Sequence, residues 1–103
     1  MKYANAKSFK AEVAWGSDLL AAFSDVDIKV HWPDMPYRWH ANTGRELFLV
    51  IDGKVDMHYR QDGAEKVQTL EAGDVMVFEE GEEHVAHPVG EARIVVAERR
   101  DSE

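Results

Sequence analysis

A chain of 103 residues, 45% of them hydrophobic, has material for one domain around a single core. It contains no cysteine, which excludes disulfides, iron–sulfur clusters, thiolate zinc sites and an active-site thiol, so any metal must be held by His, Asp, Glu or Asn. Twelve basic against twenty acidic residues give a net charge of -8, and with no basic cluster beyond Arg99-Arg100 neither nucleic acid nor an anionic membrane is an expected partner.

The opening M-K-Y-A-N-A-K-S-F-K lacks the apolar region of a signal peptide. The longest apolar run, Leu47 to Ile51, is far short of the roughly 20 residues of a membrane span, so a soluble, cytoplasmic protein is expected. Lys7 to Val13 has the composition of a short helix, and Trp15-Gly16 reads as a turn. Residues 17–23, S-D-L-L-A-A-F, carry an N-cap-like Ser or Asp before good helix formers, and propensity alone predicts a second short helix. From Val26 the pattern switches to period two. Val26, Ile28, Val30 and Trp32 alternate with Asp27, Lys29 and His31, the mark of a half-buried strand with His31 on its solvent face.

Pro33 and Pro36 bracket a break, because neither can donate a ladder hydrogen bond. Tyr37 to Ala41 reads as the next strand, with Tyr37 and Trp39 pointing one way and Arg38 and His40 the other. After the turn residues Asn42-Thr43-Gly44 comes Glu46 to Ile51. It is apolar at both parities, Phe48 and Val50 on the Glu46 side and Leu47, Leu49 and Ile51 opposite, so both faces should be buried. One face would line a barrel; the other needs a second sheet or a second subunit.

Further along, Asp52-Gly53 and Asp62-Gly63 both read as hairpin turns flanking Lys54 to Gln61. Val67 to Leu70, Val75 to Phe78, Val85 to His87 and Ala92 to Glu98 supply more strands. Glycines 44, 53, 63, 73, 81 and 90 punctuate them at intervals that suit short strands and tight turns. The acidic run Glu79, Glu80, Glu82, Glu83 reads as a solvated turn, and Glu98 to Glu103 as a fraying tail. At least seven short strands and no long helix predict an all-β sandwich or barrel.

Two stretches then stand out, W-H-A-N-T-G-R-E-L-F-L-V-I-D-G from Trp39 and G-D-V-M-V-F-E-E-G-E-E-H from Gly73. They resemble the two motifs of the cupins. The first motif runs Gly, five residues, His-x-His, three or four residues, Glu, six residues, Gly. His40, Asn42, Glu46 and Gly53 fall on its His, second His, Glu and closing Gly, with Asp34 in place of the opening Gly. The second runs Gly, five residues, Pro-x-Gly, two residues, His, three residues, Asn. Gly73, Gly81 and His84 match it, and Glu79 and Pro88 replace the Pro and Asn.

The resemblance covers about residues 26–98 and implies a double-stranded antiparallel β-helix, the cupin jelly-roll barrel, with residues 19–23 a strand rather than a helix. It places one domain over 1–103, with residues 1–25 an extension packed on the barrel or on a partner subunit. It also implies a homodimer formed by sheet packing, which would cover Leu47, Leu49 and Ile51 and give Trp39 a place to bury. By the same resemblance His40, Glu46, His84 and Asn42 are the candidate ligands of a divalent transition metal, Fe, Mn, Zn, Ni or Co, beside a small-molecule ligand or substrate.

Each residue also has a plainer reading. His40 and His84 could be satisfied strand histidines, and Glu46 a paired or protonated core carboxylate. Asn42 reads equally as a turn former and as a weak amide-oxygen ligand. Arg38, at the parity of His40, could reach an anionic substrate or serve a surface ion pair, and Phe48 is a candidate cavity wall. His58 and His87 are out of phase with the barrel interior and are not expected as ligands. The functions in view are a metal-dependent oxygenase, isomerase or decarboxylase, a non-catalytic small-ligand or regulatory cupin, and a dimer whose metal site has weakened or been lost.

Overall fold

The computed structural model describes residues 1–102, whose regular structure is strand apart from one 3-10 turn. Eight strands follow a single 3-10 turn, Ala6–Ser8: β1 Gly16–Phe23, β2 Val26–Trp32, β3 Glu46–Asp52, β4 Lys54–Gln61, β5 Ala64–Glu71, β6 Val75–Phe78, β7 His84–Pro88 and β8 Arg93–Arg99. They form a five-stranded antiparallel sheet in the order β1-β2-β8-β3-β6 and a three-stranded one in the order β5-β4-β7. This is the expected jelly roll. No helix among the described residues is long and apolar enough to cross a membrane.

The two short helices predicted near the N-terminus are not there. Lys7 to Val13 gives only the 3-10 turn, whose first N–H is capped by Asn5. Residues 17–23 lie in β1, paired to β2 along its length with one bulge at Leu20, so 19–23 form the strand that the cupin resemblance implies and not the helix of propensity alone. Sheet pairing overrides a helical propensity that seven residues cannot sustain alone.

The two Asp-Gly turns also part company. Asp62-Gly63 closes the β4–β5 hairpin with both residues at positive φ, 54° and 76°. Asp52-Gly53 is no hairpin, because β3 and β4 belong to different sheets; it is the corner where the chain crosses between them. Gly53 turns this corner at φ 84°, and a Cβ there would lie 2.8 Å from the Glu91 carbonyl oxygen. Any side chain at that position would force the corner open.

The inner faces of the two sheets bury Phe48, Val50, Val55, Met57, Ile94 and Val96. Register fixes which face is which: Phe48 pairs Val96 and Val50 pairs Ile94, while Ile94 in turn pairs His31. His31 therefore lies on the interior parity, contrary to the expectation that it faces solvent. The apolar parity of β2, Val30 and Trp32, faces outward and is nevertheless buried. The N-terminal segment lies across that side, with the Lys10 ammonium 5.6 Å from the Trp32 ring and the Phe9 carbonyl accepting from Arg93 at 2.7 Å. An apolar face can thus be an outer one when the chain's own arm covers it.

Candidate metal centre

The segment between the prolines and β3 is not the regular strand its alternation suggested. It is tied to the three-stranded sheet at intervals, by Tyr37 N–H to the Ala86 carbonyl and by a two-way bridge between His40 and His84, at 3.1 and 3.0 Å. Residues that exchange both backbone hydrogen bonds stand directly opposite with side chains on one face. The two imidazoles consequently meet, their ring centroids 4.4 Å apart. With the alternation broken, Tyr37 joins His40 at the cavity, Arg38 turns out to solvent with its guanidinium 4.9 Å from the Tyr37 ring centroid, and Trp39 packs under Arg60 at 3.9 Å.

Glu46 enters from the neighbouring sheet as the first residue of β3. It is 5% exposed and its Oε1 lies 2.8 Å from Nε2 of His84, which is 2% exposed. The donor atoms of His40, Glu46 and His84 all fall within 4.8 Å of one another. Phe78 stacks on the His84 ring at 3.9 Å with 7° between planes, which holds that ring in place.

Hydrogen bonds on the far side of each ring set its tautomer. His84 Nδ1 faces the Glu82 carbonyl at 3.0 Å and His40 Nδ1 the Arg38 carbonyl at 2.9 Å. A carbonyl oxygen only accepts, so each ring carries its proton on Nδ1 and keeps Nε2 available for ligation. At His84 this has a sharp consequence: a bare Nε2 and a carboxylate oxygen 2.8 Å apart repel. A cation, either a proton or a metal ion, has to sit between them.

Asn42 lies inside this group rather than merely in the turn. Its Nδ2 donates to Glu46 Oε1 at 3.1 Å and to Glu98 Oε2 at 2.7 Å, while its buried Oδ1 has no hydrogen-bond partner. The tight return from Asn42 to Glu46 runs through Gly44 at φ 94°, where a Cβ would stand 2.8 Å from the Arg99 side chain.

A cavity of about 110 Å³ opens beside these donors. Glu46, His40 and His84 form its polar side; Phe48, Ala86 and Val96 form an apolar wall, and Trp15, Tyr37, His31 and Glu98 complete it. Phe48 lines this cavity, whereas Arg38 does not. His58 and His87 are elsewhere, stacked on each other at 4.1 Å.

Besides Tyr37, three wall residues escaped the sequence reading. His31 is half-buried with Nδ1 3.4 Å from the Trp15 carbonyl, and burial pushes its imidazole below the ordinary histidine range, against the opposing pull of that carbonyl. Trp15 adopts φ 65°, strained for a non-glycine residue, and is pinned by its N–H to the Trp32 carbonyl and its indole N–H to the Met35 carbonyl at 2.8 Å. Glu98, the end of the expected strand Ala92 to Glu98 and the start of the expected tail, lies within β8; Glu103 lies outside the described residues. The available signal was parity: Ile94, Val96 and Glu98 alternate onto one face, and two of the three are core.

Residues 24–98 match the family model of the cupin domain. The chain belongs to the cupin family. Among curated proteins none matches it. Solved cupin folds do: a cupin-2 domain containing protein from Shewanella frigidimarina NCIMB 400 is 25% identical, with 87% of this chain and 85% of that one covered at a TM-score of 0.77. Hydroquinone 1,2-dioxygenase from Sphingomonas sp. TTNP3, solved with 4-hydroxybenzoate bound, is 17% identical over 88% of this cupin and 29% of its own chain, TM-score 0.74. Hydroxypropylphosphonic acid epoxidase from S. wedmorenis is 18% identical over 71% of this cupin and 42% of its own length, TM-score 0.62.

Proposed function

We propose that this cupin is a metal-dependent enzyme acting on a small molecule, with His40, Glu46 and His84 as the protein ligands of a divalent transition ion: iron, manganese, zinc, nickel or cobalt. The observation that carries the reading is the meeting of one buried and one half-buried imidazole with a buried carboxylate, donor atoms within 4.8 Å, at the wall of a cavity. The donor set fits such an ion. Neutral imidazoles and a carboxylate suit borderline first-row metals, and three protein ligands leave positions open. The required cation between His84 and Glu46 supports the same fit. Asn42 presents its amide N–H, not its oxygen, to the Glu46 carboxylate, so it stands beside the donor set as a partner of that ligand.

When bound, such an ion supplies Lewis acidity or an oxygen-binding centre. The remaining work is done by the chain. The Glu82 and Arg38 carbonyls hold both rings in the ligating tautomer, and Asn42 Nδ2 orients Glu46. Phe48, Val96 and Ala86 keep one side of the cavity dry. Of oxygenation, isomerisation and decarboxylation, oxygenation makes fullest use of a two-histidine, one-carboxylate set with open positions.

The proposal extends to assembly. On the outer face of the five-stranded sheet Val75 and Val77 are 48% and 47% exposed beside half-buried Leu47 and Leu49, a strip that a second copy would cover. Elemental analysis of protein purified without chelator tests the central reading: near-stoichiometric transition metal in the native chain and its loss in His84→Ala are expected. Equal metal in both would remove it.

A further inference from the structure

The two histidines of the triad are held by backbone of unequal strength. His84 opens β7, which pairs with β4 through a ladder of five residue pairs. His40 lies in no regular strand, and its segment is fastened to β7 by the single-pair bridge to His84 and by the Tyr37 N–H on the Ala86 carbonyl. The position of the His40 ring therefore depends on side chains that span the two segments.

Arg60 spans them. Tyr59 pairs His84 in the β4–β7 ladder, so Arg60 stands opposite Glu83 and donates its backbone N–H to the Glu83 carbonyl at 3.1 Å. Alternation turns the Arg60 and Glu83 side chains to the outer face of the three-stranded sheet, away from His84. There Nη1 of Arg60 donates to Glu83 Oε2 at 2.7 Å, and the guanidinium carbon lies 3.9 Å from the Trp39 ring centroid. One planar group thus touches both the residue before His84 and the residue before His40. The Arg60 side chain is 43% exposed, so its charge pair with Glu83 contributes little by itself. Its flat fork, which stacks and donates at once, is what a lysine could not reproduce.

We infer that Arg60 is a positioning residue of the metal centre, a clamp on the outer face that holds the His40 and His84 segments at the spacing where both imidazoles reach one ion. The inference deepens the proposed function and rests on its assignment of His40 and His84 as ligands. Arg60 does not line the cavity beside the triad; it acts through His40, by restricting that ring before an ion arrives. Charge and clamping predict opposite signs. Neutralising a nearby cation favours the binding of another cation, whereas loosening His40 disfavours it, so a loss of affinity without Arg60 reports geometry.

The test titrates zinc, in competition with a chromophoric chelator, into native protein, Arg60→Gln, Trp39→Leu, the double variant and Lys54→Gln. Lys54 is the control, a cation at the other end of β4 that stands 3.9 Å from exposed Glu71. Arg60→Gln and Trp39→Leu should each weaken zinc about threefold or more, roughly the worth of one exposed cation–π contact, with the double variant losing no more than about the larger single loss and Lys54→Gln losing nothing. In metal-free protein, hydrogen exchange at the His40 amide should quicken about threefold or more in Arg60→Gln, with the amides of β8 unchanged. Zinc affinity unchanged or tightened in Arg60→Gln, additive losses in the double variant, or an equal loss in Lys54→Gln would overturn the inference and leave the metal reading standing. Native protein that takes up no zinc would sink the metal reading, and exchange would then decide the clamp: a His40 rate that Arg60→Gln leaves unchanged overturns it as well, and a quickened one upholds Arg60 as the hold on the two segments.

Discussion

The molecule carries two histidine pairs of nearly the same local shape. His40 and His84 have ring centroids 4.4 Å apart with the Glu46 carboxylate 2.8 Å from one of them; His58 and His87 are 4.1 Å apart with the Glu65 carboxylate 3.5 Å from His58. Their surroundings differ. Glu46 and His84 are buried beside a cavity, with a Phe78 stack and carbonyl partners that fix the tautomer. The second pair lies on the outer face of the three-stranded sheet, and its Glu65 side chain is 55% exposed. Closeness of imidazoles does not make a metal site. What distinguishes the inner pair is desolvation, pre-set orientation and room for a ligand beside it.

The strongest way to break this comparison is to remove one ring from each pair. His84→Ala should weaken transition-metal affinity by about a hundredfold or more, while His58→Ala should leave the stoichiometry of the native protein unchanged, both by elemental analysis and zinc titration. Loss of the bound metal in His58→Ala would place the ion at the wrong pair.

Stability separates the pairs next. In metal-free protein Glu46→Ala strands the buried His84 Nε2 and the Asn42 amide and should cost about 3–5 kcal/mol by urea unfolding. Glu65→Ala removes an exposed partner and should cost less than about 1 kcal/mol. Glu46→Gln sharpens the contrast: it keeps the shape but loses the charge, so metal retention should fall about tenfold or more while the fold is largely kept.

How far the sequence reached can be judged residue by residue. His40, Glu46 and His84 were legible because motif spacing puts them at fixed points of a known barrel. The strands of β3 to β8 were legible from period two and from glycine punctuation. His31 was not, because a polar parity was equated with the outside. In β2 the polar side faces the cavity, and the apolar side is covered by an N-terminal arm with no periodic signal of its own. Arg38 and Tyr37 exchanged places because a two-residue alternation was applied to a segment that pairs only at single points. Asp52-Gly53 looked like a hairpin because local turn chemistry is the same whether the next strand pairs with the last or crosses to another sheet.

The smallest expected effect concerns His31. Its folded-state value is lowered below 6.5, so the unfolded chain binds more protons as the solution is acidified, and stability is lost as pH falls through 6.5 toward the folded value. Metal-free wild-type protein should therefore lose more stability between about pH 7.5 and about pH 5.5 than His31→Gln does, by urea unfolding at each pH. Equal losses would mean the imidazole is as accessible to protons in the folded protein as in the unfolded chain.

The most direct measurement is an anomalous difference map from a crystal grown with zinc or cobalt. A single strong peak about 2.0–2.2 Å from Nε2 of His40, Nε2 of His84 and a Glu46 carboxylate oxygen is the expected result. A map in which the peak sits at His58 and His87, or in which His84 remains hydrogen-bonded to Glu46 with no peak between them, would contradict it.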